Sequence, residues 1–319
     1  MAAGVSTSTA SRALRERPFV REATRRRVLD AARELGFEPN RLARSLRTRS
    51  SLSVGVVVPD VATVFWAAAL KGAQDVLEEA GYLVLVMSSE RDPAHEQTAL
   101  RTLIAHRVDG ILLATSGGYE PPPGVPVVLF DRLGPEPASG RAALANEEGM
   151  ALLFEHLRSH GHERIGYLGG YPGSTSADER RDAFSAAAAA AGLRLPAGYV
   201  RHGDPLWSEA SGAAIVAEML REDGPPTALI AASDALAVGA LRALHRAGVR
   251  VPEQVALVSF DEPLFADLLD PPLTALARHD RQLGAVAAEL LLQVLRGEAE
   301  GPEVRVPLEL IVRRSCGCG

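Results

Sequence analysis

Cysteine is almost absent from this 319-residue chain, and the two present, Cys316 and Cys318, stand two residues apart at its far end. They cannot frame a disulfide scaffold, so the fold must rest on hydrophobic cores, and a reducing compartment is the simple reading. Lysine is scarcer still: Lys71 is the one lysine among 34 basic residues. No apolar run approaches the ~20 residues of a membrane-spanning helix. The opening residues lack the charged-then-apolar order of a secretory signal. A cytoplasmic protein without a membrane partner is therefore expected. A dinucleotide loop is missing too, because YLGGYPGSTS lacks the Gly-x-Gly-x-x-Gly spacing. No Ser-His-Asp or Cys-His arrangement is legible, so nothing points to an enzyme. His156 and His160 stand at i, i+4 in EHLRSHGHERI, a spacing that permits a metal. Histidines there also suit a helix C-terminus, and that structural reading is preferred. The two thiols of CGCG do not make a site by themselves. Neither metal nor cofactor is expected.

What is present is a large apolar fraction, 47%, enough for a small head and one or two α/β domains. The net charge of −6 hides an asymmetry. Residues 1–50 hold twelve arginines against five acids, a net of +7, so the other 269 residues carry −13. A basic head on an acidic body is the footprint of nucleic-acid binding, the alternative being a solvated basic arm.

The head has helical spacing. Gly4 suits a turn with positive φ, and Ser6 suits a helix N-cap. A short helix is predicted from Thr7 to about Leu14, with Ala10, Ala13 and Leu14 on its apolar side. Thr7, Ser8, Ser11 and Arg12 lie on the other side, short donors and acceptors with one guanidinium, as reading of a major groove requires. EATRRRVLDAARELGFEPN puts Val28, Leu29, Ala32 and Leu35 on one stripe, with Gly36 as a stop. NRLARSLRTRS follows, capped by Asn40, with Leu42, Ala43 and Leu46 on one side and arginines around the rest. So short a helix needs a partner surface to form.

From Leu52 onward, short Val/Leu/Ile runs alternate with amphipathic helices. The strand candidates are SVGVVVP, YLVLVMS, GILLAT, VPVVLFD, RIGYLGG, ALIAAS and VALVSF. The pattern means parallel sheets covered on both faces. There are too many strands for one compact sheet, so two lobes are expected, split near Asn146. A ligand should bind between them, at the carboxyl ends of the strands.

GVSTSTASRAL, TRRRVLDAARELGFEPNRLARSL and SVGVVVPD together resemble the head, hinge and first core strand of the LacI/GalR family of bacterial transcription regulators. The resemblance continues to the C-terminus. It implies an α/β fold with a two-lobed, periplasmic-binding-protein-like core of parallel sheets, preceded by a small all-α helix-turn-helix head and a hinge helix. The corresponding limits are 1–39 for a partial head, 40–51 for the hinge helix and linker, and 52–319 for effector binding and dimerisation. Within the last, lobe 1 is about 52–145 plus 278–303, and lobe 2 about 146–277 plus 304–314, with the chain crossing back near Thr274 to Arg278.

The resemblance also implies roles. Thr7, Ser8 and Arg12 would read bases. Asn40, Ala43 and Leu46 would belong to a hinge helix that forms when two copies meet on operator DNA. Leu46 would wedge into the minor groove, and Ala43 must be small for two hinge helices to approach. The plainer alternative for Leu46 is an ordinary leucine of an amphipathic helix. In the cleft, Arg180, Trp207, Asp234, Asp131, Phe65 and Trp66 match effector-contacting positions. Arg180 would grip adjacent hydroxyls or a carboxylate, Asp234 would accept from sugar hydroxyls, and Trp207 would stack on a ring. Alternatives stay open: Phe65 and Trp66 as core residues, Asp234 as a helix cap, and Asp261 in VSFDE as structural rather than ligand-contacting.

Several positions depart from the family pattern. Its first helix has no counterpart ahead of Gly4, which favours a start upstream of Met1. Arg21 stands in place of a capping serine, weakening the next helix by about 1 kcal/mol. Arg278 replaces a frequent glutamine and suggests an acidic or phosphorylated effector, and Ala145 replaces an Asp. No coiled-coil tail follows PLELIVRRS, so a homodimer is expected. The function implied is a repressor that binds operator DNA under control of a sugar-like effector. The alternatives are a small-molecule sensor whose truncated head has lost DNA binding, and an enzyme on the same scaffold.

Overall fold

The computed structural model describes residues 3–13, 20–35, 50–134, 137–204, 206–277, 279–298, 301 and 303–318, the side chains of Thr7 and Ser11 excepted. Two compact units result, Met1–Ser51 and Leu52–Gly319.

In the first unit, α1 (Thr7–Ala13) and α2 (Glu22–Glu34) pair around buried Ala13 and Val28. Gly4 takes φ +60°, and the Ser6 hydroxyl accepts from the Thr9 N–H at 3.2 Å, so turn and cap form as their residue types dictate. The described helix ends at Ala13, and Leu14 lies outside the described residues. Arg21 occupies the N-cap of α2 with no side-chain cap bond. Leu35, expected on the apolar stripe, is 68% exposed, because it stands beyond the last full turn. The expected hinge helix, with Asn40, Ala43 and Leu46, lies outside the described residues.

The second unit holds two six-stranded sheets. The first contains β1 (Ser53–Val58), β2 (Leu83–Ser88), β3 (Gly110–Leu113), β4 (Val127–Phe130), β5 (Gly140–Leu144) and β11 (Glu303–Val306), in spatial order 2-1-3-4-5-11 and parallel throughout. The second contains β6 (Ile165–Gly169), β7 (Val200–His202), β8 (Ala228–Ala231), β9 (Ala256–Ser259), β10 (Thr274–Leu276) and β12 (Leu310–Ile311), in order 7-6-8-9-10-12. Only the β10–β12 pair is antiparallel.

Period-two alternation sorts the first sheet's side chains onto two faces. Val54, Val56, Val58, Leu112, Val128 and Phe130 pack under α3 (Val64–Glu79) and α9 (Asp280–Leu295). Val57, Ile111, Leu113, Val127 and Leu129 pack under α4 (Pro93–Ala105). Both faces are buried, which is why these strands read as unbroken apolar runs. The second lobe repeats the plan with α5 (Asn146–Ser159), α6 (Thr175–Ala190), α7 (Glu209–Met219) and α8 (Asp234–Arg246). All seven strand patterns read from sequence are strands. Those unread were β5, β7, β10, β11 and β12. They are short or, like GRAAL, poor in β-branched residues, and their pairing comes from neighbours rather than propensity.

The chain crosses between lobes three times: from β5 into α5, from β10 into α9, and from β11 into β12. The last crossing corrects the expected limit at 303. All of β11 pairs with β5, Glu303 on Arg141 through Val306 on Leu144, so lobe 1 continues to Val306.

Each lobe carries one helix crossing too close for a side chain. A Cβ on Gly72 would lie 1.9 Å from the Arg281 carbonyl oxygen, and one on Gly284 1.8 Å from that of Ala69. In lobe 2, Gly212 and Gly239 set α7 against α8 in the same way. Gly284→Ala should therefore destabilise by about 1–3 kcal/mol through overpacking, despite a gain near 1 kcal/mol in helix propensity. Thermal unfolding would show this as a fall of several degrees; an unchanged midpoint would show that α3 and α9 can separate without loss.

Candidate functional site

The carboxyl ends of the strands in both sheets face one cleft, about 140 Å³ in volume and open to water. Its residues come from the loops and helix starts that follow seven strands. Phe65 and Trp66 follow β1, Arg91 follows β2, and Asp131 and Arg132 follow β4. Ser176 and Arg180 follow β6, Trp207 follows β7, Asp234 follows β8, and Asp261 follows β9. Other surface depressions are larger; this one is distinguished by convergent charge and aromatic rings at the topological switch of two parallel sheets.

Arg180 is the centre of the site. It is 4% exposed. Its Nε donates to Asn146 Oδ1 at 2.9 Å, and Nη1 donates to the Ala232 carbonyl at 2.6 Å. Asp261 Oδ2 lies 3.4 Å from Nη1, and the guanidinium carbon sits 3.7 Å above the Phe260 ring. Nη2 has no partner among the described residues, so its donors remain for a ligand. Asp261, read from sequence as more structural than ligand-contacting, lines the cleft and pairs with Arg180; the position of its partner could not be seen from VSFDE.

Asp131 is buried with its carboxylate unpartnered among the described residues. Burial pushes its pKa up to about 6, against the pull of Arg180 and Arg132 and with the push of Asp261 and Glu179. Arg132, beside it, forms no side-chain hydrogen bond or ion pair among the described residues. Its pKa is lowered first by burial, with Asp131 opposing. Arg91 reaches Asp60 at 3.5 Å, yet its Nε is buried without a partner.

Trp207 lies on a surface that only glycine allows: a Cβ on Gly170 would stand 2.0 Å from the indole. The turn beneath is tied by Asp204, which accepts from the Leu206 and Ser208 N–H groups at 3.0 and 3.2 Å and from the Ser208 hydroxyl at 2.6 Å. Trp66 is 4% exposed and packs edge-on to Phe130 and Phe65 at 5.6 and 4.7 Å, so it is a core residue with one edge in the cleft. Ser233, not Asp234, caps α8 by accepting from the Leu236 N–H; Asp234 follows it at the cleft wall. Arg91, Asp131 and Trp207 hold φ of +60°, +56° and +56°. Each such conformation costs about 1–3 kcal/mol, and three of them converge on one cleft.

Two contacts, three hydrogen bonds in all, join the lobes near Arg180. The Leu133 N–H donates to Thr175 Oγ1 at 2.7 Å. Glu179 accepts both guanidinium arms of Arg305, each at 2.9 Å, and also accepts from Asn146 Nδ2 at 2.7 Å. Asn146, at the first crossing, thus holds Glu179 and Arg180 together.

Of the residues singled out from sequence, Phe65, Trp66, Asp131, Arg180, Trp207 and Asp234 share the cleft, while Arg278 lies outside the described residues. In the head, Thr7 opens α1, and Ser8 and Arg12 are exposed on it. Sequence reasoning missed Arg91, Arg132 and Gly170. Arg132 stood next to Asp131 in the same motif; Arg91 sits in a loop with no periodic signal.

The unpartnered Asp131 makes stability depend on pH. In an unfolded chain it titrates near 3.9, in the fold near 6. Between those values the folded state binds more protons, so stability falls as pH rises from about 4 to 6 and stays lower above. Asp131→Asn should then stabilise the chain at pH 7.5 by about 2–3 kcal/mol, a gain absent near pH 4. Equal melting shifts at both pH values would contradict a carboxylate held this way.

Residues 1–40 match the description "Bacterial regulatory proteins, lacI family", and residues 154–316 match "Periplasmic binding protein-like domain". The chain is 30% identical to the HTH-type transcriptional repressor PurR of Photobacterium profundum, over 98% of this chain and 96% of that protein. It is 31% identical to the HTH-type transcriptional repressor CytR of Escherichia coli (strain K12), over 98% and 93%. The crystal structure of the Lac repressor dimer bound to operator and the anti-inducer ONPF superposes with a TM-score of 0.87 at 29% identity, covering 98% of this chain and 96% of that one. A two-lobed core with an interlobe cleft, a basic helical head, and identity along nearly the whole length place this chain in the LacI family of bacterial regulatory proteins.

Proposed function

We propose that the chain is a transcriptional repressor that binds operator DNA as a homodimer and is controlled by a small hydroxylated effector held between its lobes. The observation that carries the effector half is the pair Asp131 and Arg132, an acid and a base adjacent in sequence at the cleft, neither with a side-chain hydrogen-bond partner among the described residues. Burying such groups unpaired is costly, and a ligand presenting hydroxyls satisfies both, since a hydroxyl donates and accepts. Trp207 offers a ring face, Asp234 a second acceptor, and Arg180 Nη2 further donors. Arg91 and Arg132 together favour an effector with an acidic substituent, such as a carboxylate or phosphate on a sugar or nucleoside.

The regulatory half rests on the basic head, with Ser8 and Arg12 exposed on α1 and Thr7 at its start, and on the hinge segment with Asn40, Ala43 and Leu46. Head 1–39 and hinge 40–51 would act as a unit with their copies in a second chain, one two-fold axis matching a pseudo-palindromic operator. Effector bound in the cleft stabilises one lobe angle through Arg180, Asn146 and the Glu179–Arg305 pair. That preference shifts the DNA-competent population. The reading is one of binding without turnover, so a bound ligand should be recovered unchanged.

A thermal-shift panel of sugars, nucleosides and their phosphates would identify the effector class. The effector found should change operator affinity, measured by fluorescence anisotropy on DNA from upstream of the chain's own gene, by about tenfold or more. Arg132→Gln should leave operator binding without effector intact and weaken effector binding about tenfold, the loss of one charge-assisted bond. Arg305→Gln, which removes an interlobe pair but touches no ligand, should weaken effector binding about threefold or more by opening the lobes. A ligand that binds tightly yet leaves operator affinity unchanged would refute the coupling. An Arg132→Gln protein with unaltered effector affinity would refute the site.

A further inference from the structure

Far from the cleft, folding brings together the two features that the sequence offered separately. His156 and His160 stand on one face at the end of α5. The chain's last turn, 314–317, carries Cys316 and Cys318 to the same place. Cys318 Sγ lies 2.9 Å from His160 Nε2 and 3.7 Å from His156 Nε2. The donor atoms of His156, Cys316 and Cys318 all fall within 4.8 Å of one another. The two imidazole centroids are 5.0 Å apart.

We propose that His156, His160, Cys316 and Cys318 form a tetrahedral Cys2His2 site for zinc, which fastens the end of the chain to α5. A tetrahedral zinc with sulfur at ~2.3 Å and nitrogen at ~2.0 Å needs its donors about 3.3–3.8 Å apart. The two Cys318 separations, 2.9 and 3.7 Å, and the 4.8 Å limit on the His156, Cys316 and Cys318 donors lie within about 1 Å of that range, so small side-chain shifts bring these three donors to it, and rotation of the His160 ring, already against Cys318, completes the set. The donor set is two thiolates and two imidazoles, the chemistry that selects a borderline-soft divalent ion over magnesium or calcium. Three of the four donors lie on structure that is already anchored. Ser315 donates from its hydroxyl to the Leu257 carbonyl at 2.6 Å, and the same oxygen accepts from the Thr274 N–H at 2.8 Å. These bonds seat Cys316 in the core, 1% exposed. The Thr274 hydroxyl donates to Cys316 Sγ at 3.1 Å, an outer bond of the kind that supports a metal-bound thiolate. The i, i+4 spacing on α5 presents both rings to one side. The metal would link the chain after its third crossing to the helix entered at its first, a closure that covalent structure does not otherwise supply.

The test uses the full chain without an affinity tag, purified under reductant. About one zinc per chain is expected by elemental mass spectrometry. Cobalt(II) added to metal-stripped protein should give the intense visible bands of a tetrahedral ion with a thiolate-to-cobalt charge-transfer band. Cys318→Ser and His160→Asn, both at exposed or half-exposed positions that do not hold the core, should each weaken zinc binding about tenfold or more. Cys318→Ser should also lower the charge-transfer intensity. The proposal is overturned if added cobalt gives only the pale spectrum of an octahedral ion. It is overturned equally if Cys318→Ser binds zinc as the parent does, or if Cys316 and Cys318 are joined as a disulfide in the reduced preparation.

Discussion

A guanidinium taken out of water is tolerated only when its surroundings replace the solvent, and the cleft of this protein is organised around that requirement. Arg180 receives a carbonyl from the end of β8, an amide oxygen from the first crossing, a carboxylate from the end of β9 and an aromatic face beneath it. Each of these elements must be in register for the charge to be accommodated. Arg180 therefore ties the strand ends of the second lobe to the start of α5, where the chain first crosses between lobes. Its neighbour Glu179 extends the same network across the cleft to Arg305 on β11. A change of lobe angle cannot leave this network untouched, which is what lets occupancy of the cleft be felt elsewhere in the domain.

Around this centre, satisfied at Nε and Nη1, stand groups that are not satisfied. Asp131 is buried, its carboxylate without a hydrogen-bond partner among the described residues, and burial raises its pKa to about 6. Arg132 makes no side-chain hydrogen bond among the described residues, Arg91 keeps a buried unbonded nitrogen, and three cleft residues sit at positive φ. Away from the cleft both sheets are covered by close-packed apolar residues. Strained residues and polar groups without protein partners meeting in one cleft suit a binding site, since the ligand supplies what the fold leaves out.

The two lobes solve the same packing problem in the same way. Each sheet has the order of an open doubly wound fold, and in each a pair of helices meets through glycines whose Cβ positions would fall on the partner's backbone. The close crossing brings two helices onto one sheet face without widening the layer. It also fixes where the loops above the sheet emerge, and hence where Phe65, Trp66 and Asp234 stand at the cleft wall.

Much of this was legible in the residues themselves. Seven strands, the two-lobed α/β body and the cap of α1 follow from local rules, because continuous apolar runs and turn chemistry are properties of neighbouring residues; the six cleft residues were legible only through the resemblance to a known family. Other features depend on residues distant in the chain. Asp261 gained its place only when β9 brought it beside Arg180. The pairing of β11 with β5 moved a lobe limit to Val306. Gly170 is needed because Trp207, thirty-seven positions later, lies on it. His156 and His160 meet Cys316 and Cys318 only because a tail stitched to β9 and β10 ends beside α5. The sequence by itself determined which segments form strands and helices and which residue types were available for chemistry. Tertiary structure alone decided which of them met, because contact between residues tens to hundreds of positions apart is set by sheet order and helix packing, to which short-range patterns are blind.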